Sequence, residues 1–201
     1  GKPIKTNNIL KNYDYAKTLR AIASDKGKSF YQGEIARDIV NTVQSAAVNP
    51  GRLDLVDLAG YRVKERSAVC IAYRDLDVCG MGPPSSGGIA VGQILGMLAS
   101  YDLAKMGPNS SNAWRLIGDA SRLAFADRGR YIADNDFVSV PVKGLLNKKY
   151  LENRATLLNR KKALETVSPG NPLFYKAHSF ADDESIELPS TSHISIVDQY
   201  G

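Results

Sequence analysis

No apolar run in these 201 residues approaches the roughly 18 that a helix needs to cross a bilayer, so nothing in the chain reads as a membrane span. The chain opens at Gly1-Lys2-Pro3 without a Met and without a leader pattern, so any leader would lie outside it. Aromatic residues make up only 8%. None interleaves with the small basic clusters Lys148-Lys149 and Arg160-Lys161-Lys162. A net charge of +5 and a pI near 9.1 therefore come without a stacking platform, which argues against nucleic acid as a partner. Only two cysteines occur, Cys70 and Cys79, and no histidine lies near them in sequence, which argues against a zinc site. There are no internal repeats and no marked domain boundary before about residue 166.

What is present is ordinary for a globular chain: 43% hydrophobic and 23% charged residues, enough for one good core or for a piece of a larger domain. Each cysteine sits in or beside a β-like run, Ala68–Tyr73 and Asp77–Gly80, with Arg74-Asp75-Leu76 able to turn the chain back between them. That hairpin brings the thiols near one another, either as a disulfide or as two reduced, half-buried side chains.

The rest of the pattern is helical. Tyr15, Leu19, Ile22 and Ala23 predict a helix over 13–26 with a stop at Gly27. Ile35, Ile39 or Val40, and Val43 predict another that starts at Phe30 and closes at Asn49-Pro50-Gly51. A short capped turn follows over Leu53–Ala59. Next comes Gly82-Pro83-Pro84-Ser85-Ser86-Gly87-Gly88, opening a helix to about Tyr101 with a stripe of Val91, Ile94, Leu95 and Leu98. Its small residues, Gly88, Ala90, Gly92 and Gly96, let another backbone approach. Ser85, Ser86 and the glycine amides could bind an anion at this helix start, or simply begin a tightly packed helix. A long helix from Asn109 or Ser110 to Arg130 buries Ala113, Ile117, Ala120 and Ala124, flanked by Trp114 and Phe125. Asp134-Asn135-Asp136 resembles the start of a calcium loop but lacks the later glycine and glutamate, so turn capping is the better reading. Val138–Val142 reads as extended, and Leu145–Leu164 as a final helix anchored by Leu146, Tyr150, Leu157 and Leu158.

The last dozen residues change character. From Ser192 the chain alternates, with Ile194 and Ile196 on one face and His193, Ser195 and Val197 on the other, which predicts a strand. Thr191 shares a face with His193. Upstream, Ser168-Pro169-Gly170-Asn171-Pro172 and Asp182-Asp183-Glu184 carry the turn residues and charge of a mobile, exposed segment. A tether that feeds a Thr-led strand admits two readings. Thr191 is a β-former at a strand start, or the chain cuts itself before Thr191 and leaves a hydroxyl nucleophile with its own α-amine as base.

Four stretches in this order favour the second. Phe30-Tyr31-Gln32-Gly33-Glu34-Ile35-Ala36 and Gly82–Gly88 are two of them. The third is Ala124-Phe125-Ala126-Asp127-Arg128 with Asp134–Val142, and the fourth is Thr191–Asp198. Together they resemble the γ-glutamyltransferases over nearly the whole chain. The resemblance implies an N-terminal-nucleophile hydrolase fold, an α/β/β/α sandwich, of which this chain would be an α+β, helix-rich portion. Residues 1–165 would be the C-terminal region of a large subunit, 166–190 a flexible processing segment, and 191–201 the first strand of a small subunit. Cleavage would fall between Ser190 and Thr191, and Thr191 would be the catalytic nucleophile. Implied partners are glutathione or other γ-glutamyl compounds, amino-acid or peptide acceptors, and the small subunit bound to the large one as a heterodimer. The chemistry calls for no cofactor and no metal, and the family implies a periplasmic or secreted location. Residues that bind the substrate are expected outside this chain, which would then be inactive by itself. Ala133, Asn135 and Ser192 stand where the family usually has glycine, proline and threonine. The alternatives are a cephalosporin-acylase-like amidase of the same fold, a non-catalytic scaffold with an inert Thr191, and an anion-binding module at Ser85–Gly88.

Overall fold

Helix α1 (Tyr13–Asp25) begins where the Asn12 side chain accepts from the Tyr15 amide at 2.9 Å, and it ends on Lys26 in the left-handed conformation, φ 56°. It opens the first of two compact units, Gly1–Glu65 and Arg66–Gly201, a division that the sequence does not mark. The computed structural model describes residues 5–172, 181–183 and 196–201.

In the first unit α1 is followed by α2 (Lys28–Gln32), α3 (Glu34–Gln44) and α4 (Leu55–Gly60). One helix was expected where α2 and α3 stand. Gly33 breaks it, because its backbone (φ −108°, ψ −150°) leaves the helical region and a Cβ there would lie 2.7 Å from the Ser29 Cα. Helix α3 buries Ala36 and Val40. No residue of α1 is buried, and its expected core face leaves Tyr15 and Leu19 exposed. Helix α4 starts on a reciprocal cap. Asp54 accepts from the Val56 and Asp57 amides while Asp57 accepts from the Asp54 amide.

The second unit opens with a hairpin, β1 (Val69–Tyr73) against β2 (Leu76–Gly80), antiparallel with Val69 opposite Gly80 and Tyr73 opposite Leu76. Arg74 makes the turn at φ 55°. The register sets Cys70 directly across from Cys79, and they form a disulfide, which resolves the two readings of the thiols.

Helix α5 (Gly87–Leu98) is the centre of this unit, packed against both strands and against α7 (Ser111–Tyr131), α8 (Val142–Leu145) and α9 (Lys148–Ala155). Neighbours on several sides bury Ile89, Ala90, Gly92, Gln93, Met97 and Leu98. Of the one-sided stripe expected from the sequence, Leu98 is in the core and Ile94 packs half-buried against it, but Val91 lies 46% exposed, and the buried set extends around the helix beyond that stripe. The close approach expected at its glycines is real, since a Cβ on Gly88 would meet the Met81 carbonyl at 2.7 Å. Helix α7, capped by the Ser110 side chain, buries Ala113, Ala120 and Ala124 as expected, together with the larger Leu116 and Leu123. Trp114 is exposed, its indole N–H donating to the Pro108 carbonyl at 2.8 Å. Ile89, Met97 and Leu98 of α5 and Leu116, Ala120, Leu123 and Ala124 of α7 form one core with Leu145, Tyr150, Leu151, Leu158 and Leu164. Burying each large aliphatic side chain contributes about 1.5–3 kcal/mol.

Two expectations fail after α7. The run expected to be extended over 138–142 forms no strand, since Val138 lies in a bend and Val142 starts α8, and the helix expected over 145–164 is in pieces. Asn147 stops the first by capping α9, its side chain accepting from the Tyr150 amide, and a 3-10 turn at Thr156–Leu158 ends the second. Beyond it the backbone groups turn to side chains of α7, so Arg160-Lys161-Lys162 is exposed and non-helical. A short helix α6 (Leu103–Met106) was not expected. Of the expected terminal strand, Thr191–Ser195 lie outside the described residues, and Ile196–Asp198 form no regular element. Nine helices and one hairpin among the described residues make the chain α+β, as expected.

Candidate functional site

Thr191 and Ser190 lie outside the described residues. The structure does describe the ground on which the segment leading to them stands, and that ground is one side of α7. Two carboxylates eight residues apart, Asp119 and Asp127, sit on its buried side at 2% and 1% exposure. Charged groups are so deeply buried only when paired. Asp127 Oδ1 accepts from Arg154 Nη2 at 2.9 Å and from the Gly170 amide at 2.7 Å; Oδ2 accepts from the Tyr150 hydroxyl at 2.6 Å and Gln93 Nε2 at 3.0 Å. Asp119 accepts from the Leu164 amide at 3.1 Å and pairs with Arg115 at 3.3 Å.

Around these anchors the stretch from Leu164 to Gly170 is held by its own backbone. Arg122 donates to the Leu164 and Glu165 carbonyls, Arg154 to the Ser168 carbonyl, and the Tyr131 hydroxyl to the Gly170 carbonyl at 2.6 Å. Ser168–Pro172, read from the sequence as exposed punctuation, therefore rests on α7 and α9, and Pro172 is buried. A cavity of about 490 Å³ lies beside it, lined by Leu123, Arg154, Leu164 and Val167. Burial, and then the hydrogen bond to the Asp127 carboxylate, push the Tyr150 phenol well above its ordinary range.

At the start of α5 the Ser86 hydroxyl makes no cap; it accepts from Arg128 Nε at 3.1 Å. That hydrogen bond joins α5 to α7, in keeping with the packed-helix reading of Ser85–Gly88. Asp134 accepts from the Asp136 amide at 3.0 Å, and Asp136 takes two hydrogen bonds from Arg66, so turn capping describes this loop. Among the described residues no three His, Cys, Asp or Glu side chains converge to hold a metal.

All 201 residues match the family described as Gamma-glutamyltranspeptidase. The chain belongs to that family. It is 36% identical to the glutathione hydrolase proenzyme of Escherichia coli (strain K12), over 100% of this chain and 33% of the relative. It is 32% identical to the acylase ACY 1 proenzyme of Pseudomonas sp. (strain SE83), again over 100% of this chain and 33% of the relative. The crystal structure of Helicobacter pylori gamma-glutamyltranspeptidase superposes with a TM-score of 0.72 at 34% identity, covering 86% of this chain and 49% of that one. The chain spans about a third of the length of these curated relatives. Its fold is the helix-rich α+β portion of an N-terminal-nucleophile hydrolase.

In this member of the gamma-glutamyltranspeptidase family, the Ala124–Arg128 motif has a visible structural role. Ala124 fills the core, Asp127 is the hub, and Arg128 ties α7 to the Gly82–Gly88 motif through Ser86. Asp119, Tyr150 and Arg154 were missed as polar partners. A signal existed for the first: Asp119, Leu123 and Asp127 recur every four residues on the apolar side of α7, and a carboxylate in that register must be buried and paired.

Proposed function

We propose that the whole protein transfers or hydrolyses γ-glutamyl groups through Thr191, after cutting itself between Ser190 and Thr191. The observation that carries this reading is the match of the entire chain, Thr191 included, to the family. Relatives that match all of this chain are named glutathione hydrolase proenzymes, which favours both the substrate class and a precursor that matures by cleavage.

In the first step the Thr191 hydroxyl oxygen attacks the Ser190 carbonyl carbon. The Ser190–Thr191 C–N bond breaks, the hydroxyl proton passes to the Thr191 nitrogen, and an ester links the two residues. Water opens that ester and leaves Thr191 with a free α-amine. In turnover the amine takes the hydroxyl proton as the oxygen attacks the γ-glutamyl amide of glutathione or a conjugate, and the amine of the leaving group departs. Water or the amine of an amino acid or peptide then takes the γ-glutamyl group from the ester. Nucleophile and base both belong to Thr191, so the scheme calls for no cofactor. The large and small chains remain together as a heterodimer. A periplasmic or secreted location agrees with the Cys70–Cys79 disulfide, which persists in oxidising compartments.

The test is the intact mass and N-terminal sequence of the full-length protein beside its Thr191→Ala variant. We expect the wild type to yield a chain that begins at Thr191 and the variant to stay whole. A wild type that stays whole under native conditions would refute the proposal. The 32% identity to an acylase proenzyme sustains one second reading, an amidase of the same fold. Relative rates on a γ-glutamyl anilide and a glutaryl side-chain amide separate the two.

A further inference from the structure

The stretch that precedes Thr191 is tied to α7 at two places. At the first, Gly170 donates its amide to Asp127 and accepts at its carbonyl from Tyr131. At the second, the Asp183 amide donates to the Gly129 carbonyl at 2.8 Å, and the Asp182 carboxylate takes Arg130 in a two-point pair, Nε to Oδ1 and Nη2 to Oδ2, the latter at 2.8 Å. Gly129, Arg130 and Tyr131 are consecutive in the last turn of α7. The chain thus leaves this spot at Gly170 and is back on it at Asp182. Asp182 and Asp183, the start of an acidic run that the sequence presents as solvated charge, supply the return contact. A bidentate guanidinium–carboxylate pair sets orientation as well as distance, more than a lone surface charge pair does.

We propose that the Arg130–Asp182 pair, with the Asp183 amide on Gly129, is a positioning contact for self-cleavage. It delivers the Ser190–Thr191 bond to the groups that assist its rupture. The proposal rests on the self-cleavage reading above. Thr191 and Ser190 are neighbours and need no help to meet, but donors that stabilise the oxyanion at Ser190 must come from elsewhere in the fold, so the bond has to be carried to them. With the second tie made, Thr191 lies eight positions beyond the last fixed point, Asp183; without it, Thr191 lies 21 positions beyond Gly170. Eight residues reach at most about 28 Å. Chain-closure scaling goes as roughly the −3/2 power of length, so the shorter span raises the local concentration of the bond about fourfold. Arg130 and Asp182 are 34% and 60% exposed, so salt screens the pair.

The experiment is a time course of chain splitting in the full-length precursor, made by cell-free synthesis and read by mass. It compares wild type, Arg130→Ala, Asp182→Asn, the charge-swapped Arg130→Asp/Asp182→Arg, and Thr191→Ala. We expect Arg130→Ala and Asp182→Asn each to lengthen the splitting half-time about two- to fourfold, the swapped pair to restore it, and Thr191→Ala to stay whole. We also expect the wild-type rate to fall with salt towards that of the variants. Unfolding midpoints, measured in the Thr191→Ala background, should stay within about 2 °C. Should Arg130→Ala or the swapped pair fail to fold, Asp182→Asn, which keeps the side chain's shape on the surface, decides alone. Single variants that split at the wild-type rate would overturn the positioning role and leave self-cleavage standing, as would slowed variants that the swap does not rescue. A wild type that stays whole like Thr191→Ala overturns self-cleavage, and this proposal with it.

Discussion

At the scale of single residues the molecule turns on Asp127. Four donors meet its two oxygens, and deleting the carboxylate would leave Arg154, 7% exposed, as a buried unpaired cation. Breaking such a pair from one side costs about 3–5 kcal/mol. Tyr150 offers the more informative test. The fold favours its neutral phenol, first through burial and then through the hydrogen bond to Asp127. An unfolded tyrosine ionises near pH 10, so the Tyr150 contribution is intact below about pH 10 and is lost as pH rises beyond it towards the raised folded value. Tyr150→Phe is therefore expected to cost about 1.5–3 kcal/mol at neutral pH, the worth of a hydrogen bond to a charged acceptor. Its stability should then fall less steeply than wild type between pH 9 and 11. Urea unfolding across that range checks both, and equal slopes would contradict the account. Asp127 was legible in the sequence as a motif residue, but its partners were not. Gln93, Tyr150, Arg154 and Gly170 belong to other elements, and which of them point at one carboxylate is decided by packing.

At the scale of elements the hairpin, α1, α4 and α7 were legible, because their signals are local: a stop at Gly27, a capped turn over Leu53–Ala59, small apolar residues at helical spacing in α7, and short β-like runs about the cysteines. Helix α5 was legible as a helix but not in its burial, because neighbours on several sides erase the one-sided pattern that sequence reading relies on. The missing second half of the helix expected over 145–164 has a different cause. Arg115, Arg122 and Asp119, more than 40 positions upstream, take the backbone groups that a helix would have paired internally. Close packing of α5 on β2 gives the prediction at this scale. Gly88→Ala drives a methyl group against the Met81 carbonyl and the Gly80 Cα, both backbone, and is expected to cost about 1–3 kcal/mol. Val91→Ala on the exposed side of the same helix should stay within about 0.5 kcal/mol. Thermal unfolding of the two variants side by side checks the contrast.

For the whole molecule, the disulfide links two exposed cysteines across the hairpin and closes a loop of nine residues. By the chain-entropy estimate such a loop is worth about 2.5–3 kcal/mol. The Cys70→Ser/Cys79→Ser variant is expected to lose stability up to that amount, and wild type in a thiol reductant should match it. A variant that is unaffected while wild type still responds to reductant would show that the bond does not hold the hairpin. The division at Glu65 and Arg66 was not legible, since composition is even across it.

The Asp127 hub also bears on time. Its donors come from positions 93, 150, 154 and 170, so the carboxylate stays unsatisfied until contacts of long sequence separation have formed. Closing such loops has an entropic cost that must be met before the contacts repay it, which places the hub late in folding. A strand of backbone fastened by that hub is fastened last. Gly170 is therefore held in place only on a molecule whose core has already assembled, and the chemistry proposed further along the chain would inherit that order.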